Sequence, residues 1–111
     1  MINAEDYSRH AERSLEHLNR ALDVVADAHE VEIVYQSNVL TVEVEEPFLS
    51  KIIVSPNSSA LQIWISAQST SFKLDWSNEN QSFVLTDTNE SLNQLLGRLI
   101  GEALGVEPFQ L

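Results

Sequence analysis

The sequence predicts an α+β domain: a two-layer sandwich in which N- and C-terminal helices pack on one face of an antiparallel sheet of five to six strands. Three observations predict it. The hydrophobic period is helical at both ends of the chain and two in between. The links between candidate strands are short and polar, which favours antiparallel neighbours over crossovers. And 111 residues with 43% hydrophobic content supply one core, so residues 1–111 read as a single domain.

The first helix is predicted over roughly residues 4–28. Tyr7, Ala11, Leu15, Leu18, Leu22 and Val25 recur at spacings of three and four, which places them on one side of a helix. Asn3 reads as the N-cap with Asp6 as its acidic partner three residues on, and Glu5 and Asp6 suit the positive end of the helix dipole.

From Glu30 to Thr86 the period is two. Val31, Ile33 and Tyr35 alternate with Glu30, Glu32 and Val34; Leu40, Val42 and Val44 alternate with Val39, Thr41 and Glu43. Further strands are expected at Leu49–Ser55, Leu61–Ala67, Phe72–Trp76 and Ser82–Thr86, with turns at Gln36-Ser37-Asn38, Ser55–Ser59 and Ser77–Asn80.

Helical spacing returns in Leu92, Leu95, Leu96, Leu99, Ile100, Ala103 and Leu104, with an N-cap expected among Asp87, Thr88 and Asn89 and a C-cap at Gly105. Gly97, Gly101 and Gly105 stand four apart, a spacing that lets another backbone approach; the first helix is the expected neighbour. Val106–Leu111 reads as a loosely held tail.

Composition narrows the function. Lys+Arg 6 against Asp+Glu 17 gives a net charge of -11, which repels nucleic-acid phosphates and anionic membranes and favours cations or basic protein faces. The absence of cysteine removes disulfides, thiolate ligands and cysteine nucleophiles, so any metal must be held by oxygen or imidazole. The N-terminus carries neither a signal sequence nor an Arg-rich transit peptide, and a cytoplasmic location is expected. No G-x-S-x-G, P-loop, G-x-G-x-x-G or H-E-x-x-H occurs, and all three glycines lie in the last helix, so no enzymatic activity is expected.

Two surfaces stand out. Glu5, Glu12, Glu16, Asp23, Asp27 and Glu30 follow one another at spacings of 7, 4, 7, 4 and 3 and fall within a band of roughly 60° on the polar side of the first helix. Glu32, Glu43, Glu45 and Glu46 extend the field, so 11 of the 17 acids lie in the first 46 positions. Like charges four residues apart cost a few tenths of a kcal/mol per pair, a load that a cation or basic partner would relieve. Hard carboxylate oxygens suit Fe(III) and, less selectively, Fe(II), Mn(II), Ca(II) or Mg(II), bound weakly because nothing wraps the ion. Periodicity alone does not separate this reading from a solvated helix face. His10 and His17, a heptad apart, are too distant for one ion and read as surface histidines, with His10 kept as a secondary metal contact. The other surface is Gln62-Ile63-Trp64-Ile65: with Leu61, Ile63 and Ile65 facing the helices, Gln62 and Trp64 point to the uncovered face of the sheet. An exposed tryptophan is either an interaction residue or a cover for its strand neighbours. Gln62, Trp64 and Glu43 are the candidate partner-binding residues.

Taken end to end, the chain resembles the frataxin family. Tyr7-Ser8-Arg9-His10-Ala11-Glu12 opening an acidic helix, Val39-Leu40-Thr41-Val42, Lys51-Ile52-Ile53-Val54, Gln62-Ile63-Trp64-Ile65, Leu74-Asp75-Trp76 and Ser91-Leu92-Asn93-Gln94-Leu95-Leu96 carry the resemblance over about residues 5–104. The most specific part is Gln62-Ile63-Trp64 followed by Asp75-Trp76, and the short chain looks like the bacterial, CyaY-like branch. The resemblance implies an α-β-α sandwich and weakly held iron (Fe2+ or Fe3+) on acids of the first helix and first strand. It also implies docking onto a cysteine desulfurase and an iron-sulfur scaffold protein by a monomer open to metal-driven oligomers. Glu12, Asp23, Glu30 and Glu32 fall where the family carries acids, and Trp64 on its partner-contact tryptophan. Ser55-Pro56-Asn57-Ser58-Ser59 departs from the family's Asn-Arg/Lys-Gln-x-Pro stretch, and Asn19 and Arg20 stand where relatives often carry acids.

Overall fold

A computed structural model describes residues 2–111. Helix α1 (Ala4–Ala21) starts at Asn3, whose side chain accepts from the Asp6 N–H at 2.8 Å. Asp6 does not reach back to complete the expected reciprocal cap; its carboxylate pairs with Arg9 at 2.6 Å instead. The predicted single helix is divided at Leu22 from a short α2 (Asp23–Ala28). Leu22 has φ -74° and ψ -13°, tighter than an ideal α turn. Its N–H still reaches Leu18 and its carbonyl accepts from Ala26, both at 2.9 Å, so the helical path continues.

Seven strands follow: β1 (Val31–Gln36), β2 (Val39–Val44), β3 (Ser50–Asn57), β4 (Gln62–Ala67), β5 (Thr70–Ser77), β6 (Ser82–Leu85) and β7 (Glu90–Ser91). They form one antiparallel meander in sequence order. Ser37 and Asn38, both at positive φ, close the β1–β2 hairpin. The strand beyond the predicted count is β7, whose two residues are too few to carry a period. It also moves the last N-cap: residues 87–89 form the turn out of β6, and Ser91 caps α3 (Leu92–Leu104) through a capping box with Gln94. Gly105 is the C-cap in the left-handed region, φ 73°. The third strand starts one residue later than predicted, leaving Leu49 outside it and 72% exposed.

The core lies between sheet and helices. Tyr7, Leu15 and Leu18 from α1, Leu22 at its junction with α2, Leu40, Val42, Ile52, Val54, Ile63, Ile65 and Leu74 from the sheet, and Leu95, Leu96 and Ile100 from α3 are buried together. Each such side chain contributes about 1.5–3 kcal/mol by leaving water.

The glycines of α3 receive a different neighbour from the one predicted. A Cβ on Gly97 would overlap the carbonyl oxygen of Phe109, and one on Gly101 would lie 2.9 Å from that of Glu107. The C-terminal tail, not α1, lies against them. It is tied down rather than loose: Phe109 N–H donates to Gly97 O at 3.2 Å, Asn93 Nδ2 to Leu111 O at 3.2 Å, and the Phe109 ring meets His29 edge-on at 5.4 Å. Apolar Phe109 and Leu111 supply the driving force and the bare glycine backbone supplies the room.

Candidate functional site

Tyr7 sets the helix over the sheet. It is buried on α1, and its hydroxyl donates to the Gln62 carbonyl at 2.6 Å, so the start of α1 is fixed against β4. Burial raises the Tyr7 pKa, offset in part by a backbone hydrogen bond at Asn57.

With the apolar side held down, Glu5, Glu12 and Glu16 of α1, Asp23 and Asp27 of α2, and Glu30 in the link to β1 are all exposed. Arg9 is engaged with Asp6, and among the described residues no Lys, Arg or His lies within salt-bridge distance of any of these six carboxylates. The field reaches a neighbour. Tyr35, at the end of β1 on the helix side, has its pKa raised, first by burial and then by Glu16 and Glu12. Glu12/Glu16 and Asp23/Asp27 are i,i+4 pairs, with Cβ atoms about 5–6 Å apart in helical geometry. Two carboxylates at that spacing can share a hydrated hard cation, water filling the remaining positions. No group of three or more His, Asp or Glu side chains converges on one point among the described residues. The ridge is a row of separate ligands.

Glu32 does not join that row. Val31, Ile33 and Tyr35 turn toward the helices, so Glu32 projects from the opposite face of β1, directly across from Glu43. Two glutamates facing each other across strands repel. Lys51, next in the same cross-strand row, answers Glu43 at 3.6 Å.

The histidines also lie elsewhere. His10 stacks on Trp76 at 3.9 Å and 16°, and with Arg13 and His17 lines a cleft toward Gln81 and Ser82 of the β5–β6 side. That is the flank of α1 away from Tyr35, so the arrangement gives His10 no part in the ridge.

On the uncovered face of the sheet, Trp64 is half-buried rather than fully exposed. Its indole N–H donates to Gln62 Oε1 at 2.8 Å; Gln62 Nε2 donates to Asp75 Oδ1 at 3.0 Å; and Thr86 Oγ1 donates to Asp75 Oδ2 at 3.3 Å. Lys73 Nζ sits 4.9 Å from the Trp64 ring centroid, a cation–π distance. The row fixes the indole plane and leaves its apolar body beside Ile53 and Ser55 of β3. Sequence reading found Gln62 and Trp64 and missed Asp75, Lys73 and Thr86. The signal was present: counting outward from the two-residue turn at Gln68-Ser69 puts Gln62 opposite Asp75 and Trp64 opposite Lys73.

A meander covered on one face by two helices, with carboxylates along the first helix and a clamped tryptophan on the bare face, defines a frataxin-type sandwich. The frataxin-like domain model matches residues 1–106, and the chain belongs to the frataxin family. The chain is 32% identical over 78 residues to the iron-sulfur cluster assembly protein CyaY of Pseudomonas syringae pv. syringae (strain B728a), covering 70% of this chain and 69% of that protein. Among solved structures, the frataxin from Psychromonas ingrahamii is similar over 99% of both chains with a TM-score of 0.81 and 14% identity, a likeness of fold. No helix among the described residues is long and apolar enough to cross a membrane.

Proposed function

We propose that this chain serves iron-sulfur cluster assembly in the cytoplasm as a non-catalytic factor. It carries iron weakly on the α1–α2 ridge and docks through the Trp64 face onto a cysteine desulfurase and its scaffold protein. The observation that carries the reading is the row of exposed carboxylates that no cationic side chain among the described residues answers, in a chain whose relative is an assembly protein. Iron is cargo here: open carboxylate pairs with water in the remaining positions release as readily as they bind. Glu5, Glu12, Glu16, Asp23, Asp27 and Glu30 are the proposed ligands; Gln62 and Trp64, with Asp75 and Lys73, form the proposed docking patch. Titration of the 15N-labelled protein with Fe2+ and Fe3+ tests it. Resonances of α1, α2 and the edge of β1 are expected to shift or broaden, while those of β5 and β6 stay; an unchanged α1 sinks the iron part.

A second reading is a metal-independent acidic adaptor for a basic protein face, supported by the net charge of -11 and the exposure of all six ridge carboxylates. Partner affinity that falls steeply with salt and ignores iron selects it.

A further inference from the structure

The link between β2 and β3, Glu45-Glu46-Pro47-Phe48-Leu49, carries a feature that neither the ridge nor the Trp64 patch uses. Phe48 is 56% and Leu49 72% exposed, and neither belongs to the core or to the side chains packed against it. Single exposed apolar residues are ordinary on a protein surface, but two large ones side by side at the tip of a link, where turn residues are usual, form a continuous projection. Nothing in the fold needs them there, since β3 begins at Ser50.

Their surroundings specify the partner. Glu46 and Pro47 line a shallow cleft of ≈ 500 Å³ together with His29 and Glu30, so the acidic ridge ends at this link. Glu45 and Glu46, both exposed, immediately precede the apolar pair. Anionic lipid is disfavoured by these acids, and a two-fold contact with a second copy would set the link's own glutamates against one another. We infer that Phe48 and Leu49 form an apolar knob that seats in a socket rimmed by Lys and Arg on a different protein, with Glu30, Glu45 and Glu46 meeting the rim. This rests on the assembly-partner reading above: Glu43 and Lys51, which adjoin the link, stand on the same face of the sheet as Trp64, so the knob borders the surface assigned there to the cysteine desulfurase.

The test uses the full chain and purified desulfurase from the same organism, with binding measured calorimetrically at low and high salt. The Phe48→Ser/Leu49→Ser variant is expected to melt as wild type does, because both side chains are exposed. It is expected to bind about tenfold or more weakly at both salt levels, as loss of an apolar anchor requires. Glu45→Gln/Glu46→Gln should lose affinity mainly at low salt. Wild-type affinity in the serine variant overturns the knob and leaves the assembly function standing, whereas no binding by wild type overturns both. A concentration-dependent dimer in sedimentation, abolished by the serine pair, assigns the knob to a second copy and also overturns the proposal.

Discussion

Gln62 holds the side chains on both sides of it: its side-chain Oε1 accepts from the Trp64 indole N–H at 2.8 Å while its Nε2 donates to Asp75 Oδ1 at 3.0 Å. The glutamine thereby orients a tryptophan two residues along its own strand and a carboxylate across the hairpin. This explains why Gln-Ile-Trp and Asp-Trp occur together here. Asp75 is the register partner of Gln62, and Trp76, the next residue, points the other way to stack on His10.

If the clamp matters for docking, Gln62 and Trp64 act as a unit. Gln62→Leu is expected to cost no more than about 1 kcal/mol of stability, since the bonds are partly solvated. It should nevertheless weaken desulfurase binding, because the indole is released. In a double-mutant cycle with Trp64→Ala, a coupling of about 0.5–3 kcal/mol is expected. Strictly additive losses would show that Gln62 acts independently of the ring.

Gly97→Ala sets two effects against each other. Helix propensity alone predicts a gain of about 1 kcal/mol. The added methyl, however, overlaps the Phe109 carbonyl oxygen, a backbone atom that moves only if the tail leaves α3. The contact wins on magnitude: losing the buried side of Phe109 and the Phe109–Gly97 hydrogen bond costs about 2–3 kcal/mol. A lowered Tm is expected in calorimetry, and truncation after Gly105 should give a similar drop. A higher Tm would show that the tail contributes nothing.

How much of this was legible depends on the range of the signal. The helices and most strands follow from period, because one face of each element meets one core. The ridge follows from the same arithmetic, since whatever fixes the apolar side fixes the polar one. The glycine spacing announced a backbone approach but not its source: the tail and α1 are equally compatible with a bare helix face, and only packing decides. The two-residue β7 has no period to read. Leu49 looked like the first apolar residue of a strand, but the ladder begins at Ser50, where pairing with Val44 starts. Glu32 was grouped with the ridge by its nearness in sequence, whereas strand alternation sends it to the other face.

Glu90 and Arg98 make the acid limb of stability testable. Arg98 donates to both oxygens of Glu90, at 2.8 and 3.0 Å, and to Glu102 at 3.1 Å. The hydrogen bonds from Arg98 hold the Glu90 pKa below its ordinary 4.5, and the Arg98 pKa is raised in turn. A carboxyl with a lowered folded-state pKa adds stability that is present above its unfolded value and lost as pH falls through the folded one. Arg98→Met should therefore lose stability at neutral pH, by about 1 kcal/mol for so solvated a pair, and converge on wild type as pH falls well below 4.5. The difference between the two proteins is the readout, because easing of the -11 charge on acidification acts on both. A gap that is constant with pH would show that Arg98 contributes through packing alone.

Tyr35 is a built-in reporter of the ridge. Burial is the larger cause of its raised pKa, and the charges of Glu16 and Glu12 add to it. Glu12→Gln/Glu16→Gln should bring the phenol pKa down toward, but not to, the ordinary 10.0, leaving the burial contribution in place. The same pair of substitutions removes an i,i+4 repulsion, so the variant should be more stable at low salt by a few tenths of a kcal/mol and lose that advantage as salt rises. A redox-inert trivalent ion bound at Glu12 and Glu16 would act as the substitutions do, lowering the Tyr35 pKa in wild type and leaving the double variant unmoved. Ultraviolet titration of the phenol, on a background in which Tyr7 is replaced by Phe, reads all three effects. A Tyr35 pKa indifferent to both substitutions would mean that the two carboxylates point away from the β1 edge, and the ridge would then lack the focus that the iron proposal requires.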